Sequence, residues 1–197
     1  MSTTCQNYID LVRELGVPDL ESATAMALIN LSRQEVVADR QWTFRIATTA
    51  AATTPTTLSR MGTVLSVVDS TGTKVQPTAK RDLERFSYDL TSTAAVPDWY
   101  YFDSHQVVST YPLASVTIRY LRIPAAFTTT TDVEDLIPDD FIMAVVYRTA
   151  MHANLRMGVA DIAAQYGQLG KEALESMAGA YMTPLDDKGP INFPSGP

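Results

Sequence analysis

The chain has two histidines, His105 and His152, and a single cysteine, Cys5. Acid–base and nucleophilic chemistry therefore have few side chains to draw on. Asp103-Ser104-His105 holds the residue types of a hydrolase triad, and a small hydrolase built on His105 is the enzymatic alternative. A working triad, however, converges from separate elements, and no G-x-S-x-G nucleophile elbow is present. A polar turn before a strand is the simpler reading of the trio. Asp132, Glu134, Asp135, Asp139 and Asp140 form an acidic cluster of the kind a hard cation such as Ca²⁺ would take. Their spacing lacks the EF-hand pattern and its glycine, so they read as a solvated loop leading into a helix start that favours negative charge. A carboxylate pair for glycoside hydrolysis needs a spatial separation that sequence does not give. No Walker loop, dinucleotide fingerprint, Cys/His zinc pattern or H-E-x-x-H motif occurs. Cys5 has no cation nearer in sequence than Arg13, so nothing there lowers a thiol pKa. No cofactor, no metal and no catalytic residue is expected. The run Trp99-Tyr100-Tyr101-Phe102 cannot turn every ring to one side of a strand. Trp99, Tyr100 and Tyr101 are thus candidates for a subunit or partner interface, or for core.

The balance of charge narrows the classes further. The net charge is −7, with 46% hydrophobic and 19% charged residues in 197, an ordinary globular composition able to bury a core. An acidic surface repels phosphate, so adhesive nucleic-acid binding is not a property of the whole chain. The same surface would let a duplex slide past, or simply keep the protein soluble. One cysteine excludes an intramolecular disulfide and fits folding in a reducing cytoplasm. Asp10, Arg13 and Glu14 interrupt the N-terminal segment, so no signal peptide is expected. No run approaches the roughly 18 apolar residues of a membrane span.

The elements that must position these residues follow from periodicity. Tyr8, Leu11, Val12 and Leu15 predict a helix over 6–15, ended by Gly16-Val17-Pro18. A second helix is predicted over 21–39, capped by Asp19 or Ser22, with Arg33 and Glu35 near the surface. Asn30 lies in its middle, where an amide is unfavourable unless it bonds across to a neighbour. Trp42 and Phe44 alternate with Thr43 and Arg45 as a strand would. Residues 48–57 are a Thr-rich β arm or loop, and 64–68 a buried strand. Residues 69–73 are a turn and 74–76 the start of a return strand. Short helical character is expected over 79–86, and strands over 106–111 and 115–122. Thr128 to Thr131 read as a solvated hinge. Pro138, with Asp139 and Asp140 behind it, starts a third helix that ends near Met157. A fourth runs over 160–178, with Ile162, Tyr166, Leu169, Ala173 and Met177 at helical spacing. After Gly179 prolines and glycines leave no helical or strand pattern, while Leu185, Ile191 and Phe193 recur along the segment. Such a tail either orders on a partner's surface or frays.

Leu28-Ile29-Asn30, Glu35, Trp42 and Phe44, followed by Tyr120, Pro124, Pro138 and Phe141, make the chain resemble the head–tail adaptor (connector) proteins of tailed bacteriophages. This family includes the tail accessory factor of P22-type viruses. The resemblance covers about residues 8–178. It implies an α+β fold, a small helical bundle of N- and C-terminal helices (6–39 and 138–178) with a β-rich insertion over 43–123. Residues 1–179 would be the adaptor domain and 180–197 an extended tail that docks on the portal protein through Leu185, Ile191, Phe193 and Pro194. The resemblance further implies a structural virion protein in the neck, assembled in the host cytoplasm as a dodecameric ring below the portal. That ring would extend the DNA channel, allow non-specific passage of double-stranded DNA without touching membrane, and offer a platform to a downstream tail or nozzle protein. A tail-completion or stopper protein, one ring further down, is the alternative within the same class.

Overall fold

The computed structural model describes residues 3–17, 19–53, 56–58, 60–79, 81–82, 99–103, 106–109 and 115–181. The fold is α+β: among the described residues, four α-helices and a mixed sheet lie in two units. One unit comprises the described residues of Met1–Phe44, Phe127–Val133 and Ile137–Pro197, the other those of Arg45–Ala126 and Glu134–Leu136.

In the helical unit, α1 (Cys5–Glu14) starts on a capping box between Thr4 and Asn7. Its first free amides find carbonyls outside the helix: Cys5 N–H donates to Asp132 and Gln6 N–H to Thr130, both at 2.9 Å. Cys5, Tyr8, Ile9 and Val12 make the buried stripe, one residue round from the expected face of Tyr8, Leu11, Val12 and Leu15. Gly16, at φ +93°, ends the helix in the left-handed region that glycine enters without strain.

Helix α2 (Ser22–Asp39) is not capped by Asp19 or Ser22. Glu21 occupies the cap without a side-chain bond, and the Ser22 hydroxyl lies 3.4 Å from an Arg13 guanidinium nitrogen, to which it is an acceptor. Ala25, Ile29, Ser32, Arg33, Val36 and Val37 are its buried positions. Arg33, expected near the surface, is only 1% exposed; its guanidinium lies 3.8 Å from the centre of the Phe127 ring, and a donor bond reaches Asn30 Oδ1 at 3.3 Å. The aromatic face and the amide oxygen offset the cost of burying that charge.

Trp42 and Phe44 do not form a strand. Thr43–Arg45 is a 3₁₀ turn, because the Trp42 indole N–H donates to the Val36 carbonyl at 2.7 Å and draws the chain back on the end of α2. Trp42 and Phe44 stack there and meet Phe141 edge-on, at 4.9 and 5.1 Å between centroids. After Pro138 a 3₁₀ turn (Asp139–Phe141) leads into α3 (Ile142–Arg156), close to the expected start. Helix α4 (Ala160–Tyr181) follows and ends three residues past the expected Ala178.

The pairing of α3 with α4 overturns the expected inner face of the last helix. Ala163, Gly170 and Leu174 are buried, whereas Ile162 and Leu169 are exposed. Glycine decides this. A Cβ at Gly170 would stand 3.3 Å from Arg148 Cγ, and one at Gly167 would stand 3.1 Å from Met151 Sδ. The helices approach along these small residues, which turns the Ile162 side outward.

The sheet unit has strands β1 (Ile46–Thr53), β2 (Thr56–Thr57), β3 (Met61–Asp69), β4 (Lys74–Pro77), β5 (Trp99–Asp103), β6 (Gln106–Ser109) and β7 (Ser115–Arg122) in the order β1-β7-β3-β4-β5-β6-β2. All pairs are antiparallel except β4 with β5. In β7, Val116, Ile118 and Tyr120 alternate inward as expected. They join Met61, Val67, Val75, Tyr100 and Val107 in the core of the unit. The strand expected at 64–68 is longer and less covered than predicted, since only Met61, Val67 and Asp69 of β3 are buried. The turn at 69–73 is present. Asp69 Oδ1 accepts the amides of Thr71 and Thr73 at 2.7 and 2.9 Å, and Gly72 stands at φ +89°. The helix expected at 79–86 falls mostly outside the described residues, and of the strand expected at 106–111 the part after Ser109 does too.

Candidate functional site

Four polar arrangements carry the residues whose chemistry was in question. The first is Asn30. Its amide donates to the Phe127 carbonyl at 2.9 Å and accepts the Phe127 N–H at 2.8 Å, so it pairs with the backbone as a strand neighbour would. That is the cross-element bond the sequence called for. The second is Asp132. Its carboxylate accepts the backbone amides of Thr128 and Thr129 at 2.6 and 2.9 Å and the Thr129 hydroxyl at 2.7 Å. These bonds hold its pKa well below the usual carboxylate range, the Thr129 hydroxyl contributing most. Thr128, Thr129 and Thr131 are solvated, but the segment is a closed turn rather than a hinge.

The third is an ion-pair brace between α2 and α3. His152 Nε2 stands 3.0 and 3.1 Å from the two carboxylate oxygens of Glu35. Arg148 reaches Glu35 at 3.5 Å and Asp39 at 3.6 Å. A histidine held on a carboxylate and flanked by arginine fixes two helices. Among the described residues, both contacts of the ring nitrogen are Glu35 carboxylate oxygens rather than a serine hydroxyl or a thiol. The fourth is the remainder of the acidic cluster. Glu134 accepts the amides of Asp135 and Leu136, both at 3.0 Å, Asp135 pairs with Arg60, Asp139 accepts from Thr3 at 3.2 Å and Asp140 from Tyr181 at 2.6 Å. The acids thus serve separate partners, and among the described residues no group of three could hold a metal ion. Cys5 is buried, and burial pushes its thiol pKa up, which leaves it unreactive. Of Asp103-Ser104-His105, the Asp103 side chain, Ser104 and His105 lie outside the described residues.

What remains is surface. On β5 Trp99 is 40% exposed, Tyr100 is buried in the sheet core and Tyr101 is half-buried. Of these three rings Trp99 is the most exposed, while Tyr100 packs inward. A groove of about 380 Å³ nearby is lined by Gly62, Val64, Pro77, Tyr100 and Tyr101. The helical unit has an apolar ridge that sequence reasoning missed. Leu155, Met157, Val159, Ile162 and Leu169 are all exposed, Met157 at 55%. They lie at the α3–α4 turn and on the outer side of α4. Beside them is a groove of about 490 Å³ lined by Val17, Leu20 and Met157 together with Asp19, Glu21 and Arg156. Exposed large apolar side chains gathered on one turn and helix are candidates for a contact surface. The signal in the sequence was Leu155-x-Met157-x-Val159 around Gly158, apolar residues at a turn where no packing face is needed.

The last described residue joins the cluster of Trp42, Phe44 and Phe141. The Tyr181 ring meets Phe141 and Phe44 edge-on at 5.2 and 6.2 Å, and its hydroxyl bonds Asp140 as above. Nothing in the sequence links residues 41 positions apart. Leu185, Ile191, Phe193 and Pro194 lie outside the described residues. Among the described residues no helix is long and apolar enough to cross a membrane.

Residues 3–190 match the protein-family model described as SU10 adaptor protein. No curated protein matches the chain.

Proposed function

The chain belongs to the SU10 adaptor protein family, a family of structural phage head–tail adaptors, and from that membership we propose that it forms a ring below the portal and extends the DNA channel. The observation that carries this reading is the reach of the family match. It spans both sets of helices and the sheet between them, and runs on to residue 190, past the end of α4 at Tyr181. As an adaptor the protein is a virion component that connects portal and tail proteins. In the finer reading, the tail expected over 180–197, of which α4 takes in Ala180 and Tyr181, docks on the portal through Leu185, Ile191, Phe193 and Pro194. A Pro-rich segment loses less entropy on ordering than a flexible one. Neighbouring copies close a dodecameric ring head to tail, which requires two different faces on each subunit. The apolar ridge from Leu155 to Leu169 and the exposed Trp99 supply apolar surface for two such faces. A net charge of −7 on each copy favours a channel that does not hold DNA.

The test is deletion of residues 182–197, with binding to portal rings followed by gel filtration and unfolding followed by circular dichroism. The truncated protein is expected to melt with unchanged cooperativity and to stay apart from the portal. Co-elution of the truncated protein with the portal would overturn the docking role of the tail.

A further inference from the structure

An isolated helix end frays, because its last carbonyls have no partners within the helix. The end of α4 departs from that default. Its final residue, Tyr181, is tied by ring and by hydroxyl to a corner that is itself fixed. The ring stands edge-on to Phe141, 5.2 Å between centroids at 71°, and to Phe44, 6.2 Å at 75°. Phe141 is wholly buried and packs against Trp42, which is wholly buried too. The hydroxyl donates to Asp140 Oδ2 at 2.6 Å, a short charge-assisted bond. Because the neutral phenol is the donor, the bond also raises the Tyr181 pKa and persists through the neutral range. Asp140 is held in turn by the 3₁₀ turn that opens α3. The last residue of α4 is therefore anchored to the start of α3.

We propose that Tyr181 is a positioning residue for portal docking: ring and hydroxyl together lock the end of α4 on the Asp140–Phe141 corner, so that docking does not have to order that turn as well. The proposal rests on the docking reading above and adds to it the residue that holds the last turn of α4. Without the lock, the last turn of α4 frays and more residues must be ordered when the tail binds, which weakens binding.

The experiment measures affinity for portal rings of the same virus, by surface-based kinetics, for full-length variants. Tyr181→Ala is expected to weaken binding about tenfold, ~1.4 kcal/mol. Tyr181→Phe, which keeps the ring, and Asp140→Asn, which weakens the acceptor, are each expected to weaken it about threefold. Amide exchange over the last turn of α4 should quicken in all three while the unfolding transition stays cooperative. A fourth variant carries Leu185→Ser, Ile191→Ser and Phe193→Ser. If it binds as tightly as the native chain, the docking reading itself fails. If it loses binding while Tyr181→Ala binds like the native protein, the docking reading stands and the role of Tyr181 is overturned. Tyr181→Ala added to the triple variant should cause no further loss; an equal loss in both backgrounds would mean that Tyr181 acts on the fold rather than through the tail. If Tyr181→Ala does not fold, Tyr181→Phe decides alone, and native affinity for it overturns the role of the hydroxyl.

Discussion

In the helical unit, single atoms hold single positions. Asn30 mimics a backbone for Phe127, the Trp42 indole ends α2 on the Val36 carbonyl, Asp132 closes a threonine turn, and Gly170 sets the approach of α4 to α3. In the sheet unit the ladders and a core of Val, Ile, Met and Tyr do the work. Side-chain bonds there include the turn closed by Asp69, Arg45 on the Arg122 carbonyl at 3.0 Å and the Arg60–Asp135 pair. The difference teaches where geometry is specified. The unit that carries the apolar ridge and the root of the tail is built from locks that fail one at a time. The other is built from repeated contacts, which tolerate change.

Trp42→Ala should therefore have the largest effect. It empties a fully buried site and leaves the Val36 carbonyl without its indole donor. A loss of ~3–5 kcal/mol in urea unfolding is expected. Asn30→Leu should come next, at about 2–3 kcal/mol, because the Phe127 amide and carbonyl both lose their bonds to the Asn30 side chain. Ile118→Val in the sheet core should cost only ~0.5–1.5 kcal/mol. A sheet substitution of that size matching Trp42→Ala would break the contrast between the units.

Asp132→Asn sharpens the comparison in acid. The folded carboxylate titrates below its unfolded value of about 3.9, so its contribution is present above that pH and is lost as pH falls through the folded pKa. The native protein should lose stability steeply on going from about pH 5 towards pH 2, and Asp132→Asn should show a shallower slope in a series of thermal melts. Equal slopes would show that the turn is not held by the charge. The smallest effect is expected on the ridge: Ile162→Ser with Leu169→Ser should leave stability within about 0.5 kcal/mol while reducing self-association in sedimentation. Unchanged association would remove the ridge from the assembly reading.

The elements themselves were legible because periodicity reports them. The helices and the β7 alternation of Val116, Ile118 and Tyr120 follow from local pattern, and Asn30 announced its partner by being in the wrong place for an amide. The turn at Trp42 was not legible, since alternation cannot distinguish a strand from two rings gathered by one indole bond. Arg33 was misplaced for a similar reason: a buried cation depends on a ring, Phe127, that is distant in sequence. The face of α4 was misread because apolar spacing says which residues align. It does not say that glycines at 167 and 170 bring a neighbour to the opposite side. The ridge and the Tyr181 lock are products of tertiary approach, and composition holds no trace of the second.

The most direct test of the adaptor reading is the native mass of the particle formed when the full chain is mixed with portal rings of the same virus. The account predicts one complex heavier than the portal by a whole number of 21.6 kDa subunits, that number set by the portal's symmetry, with an added ring visible beneath it in negative stain. Separate masses for portal and protein at concentrations well above those in an assembling host would contradict it.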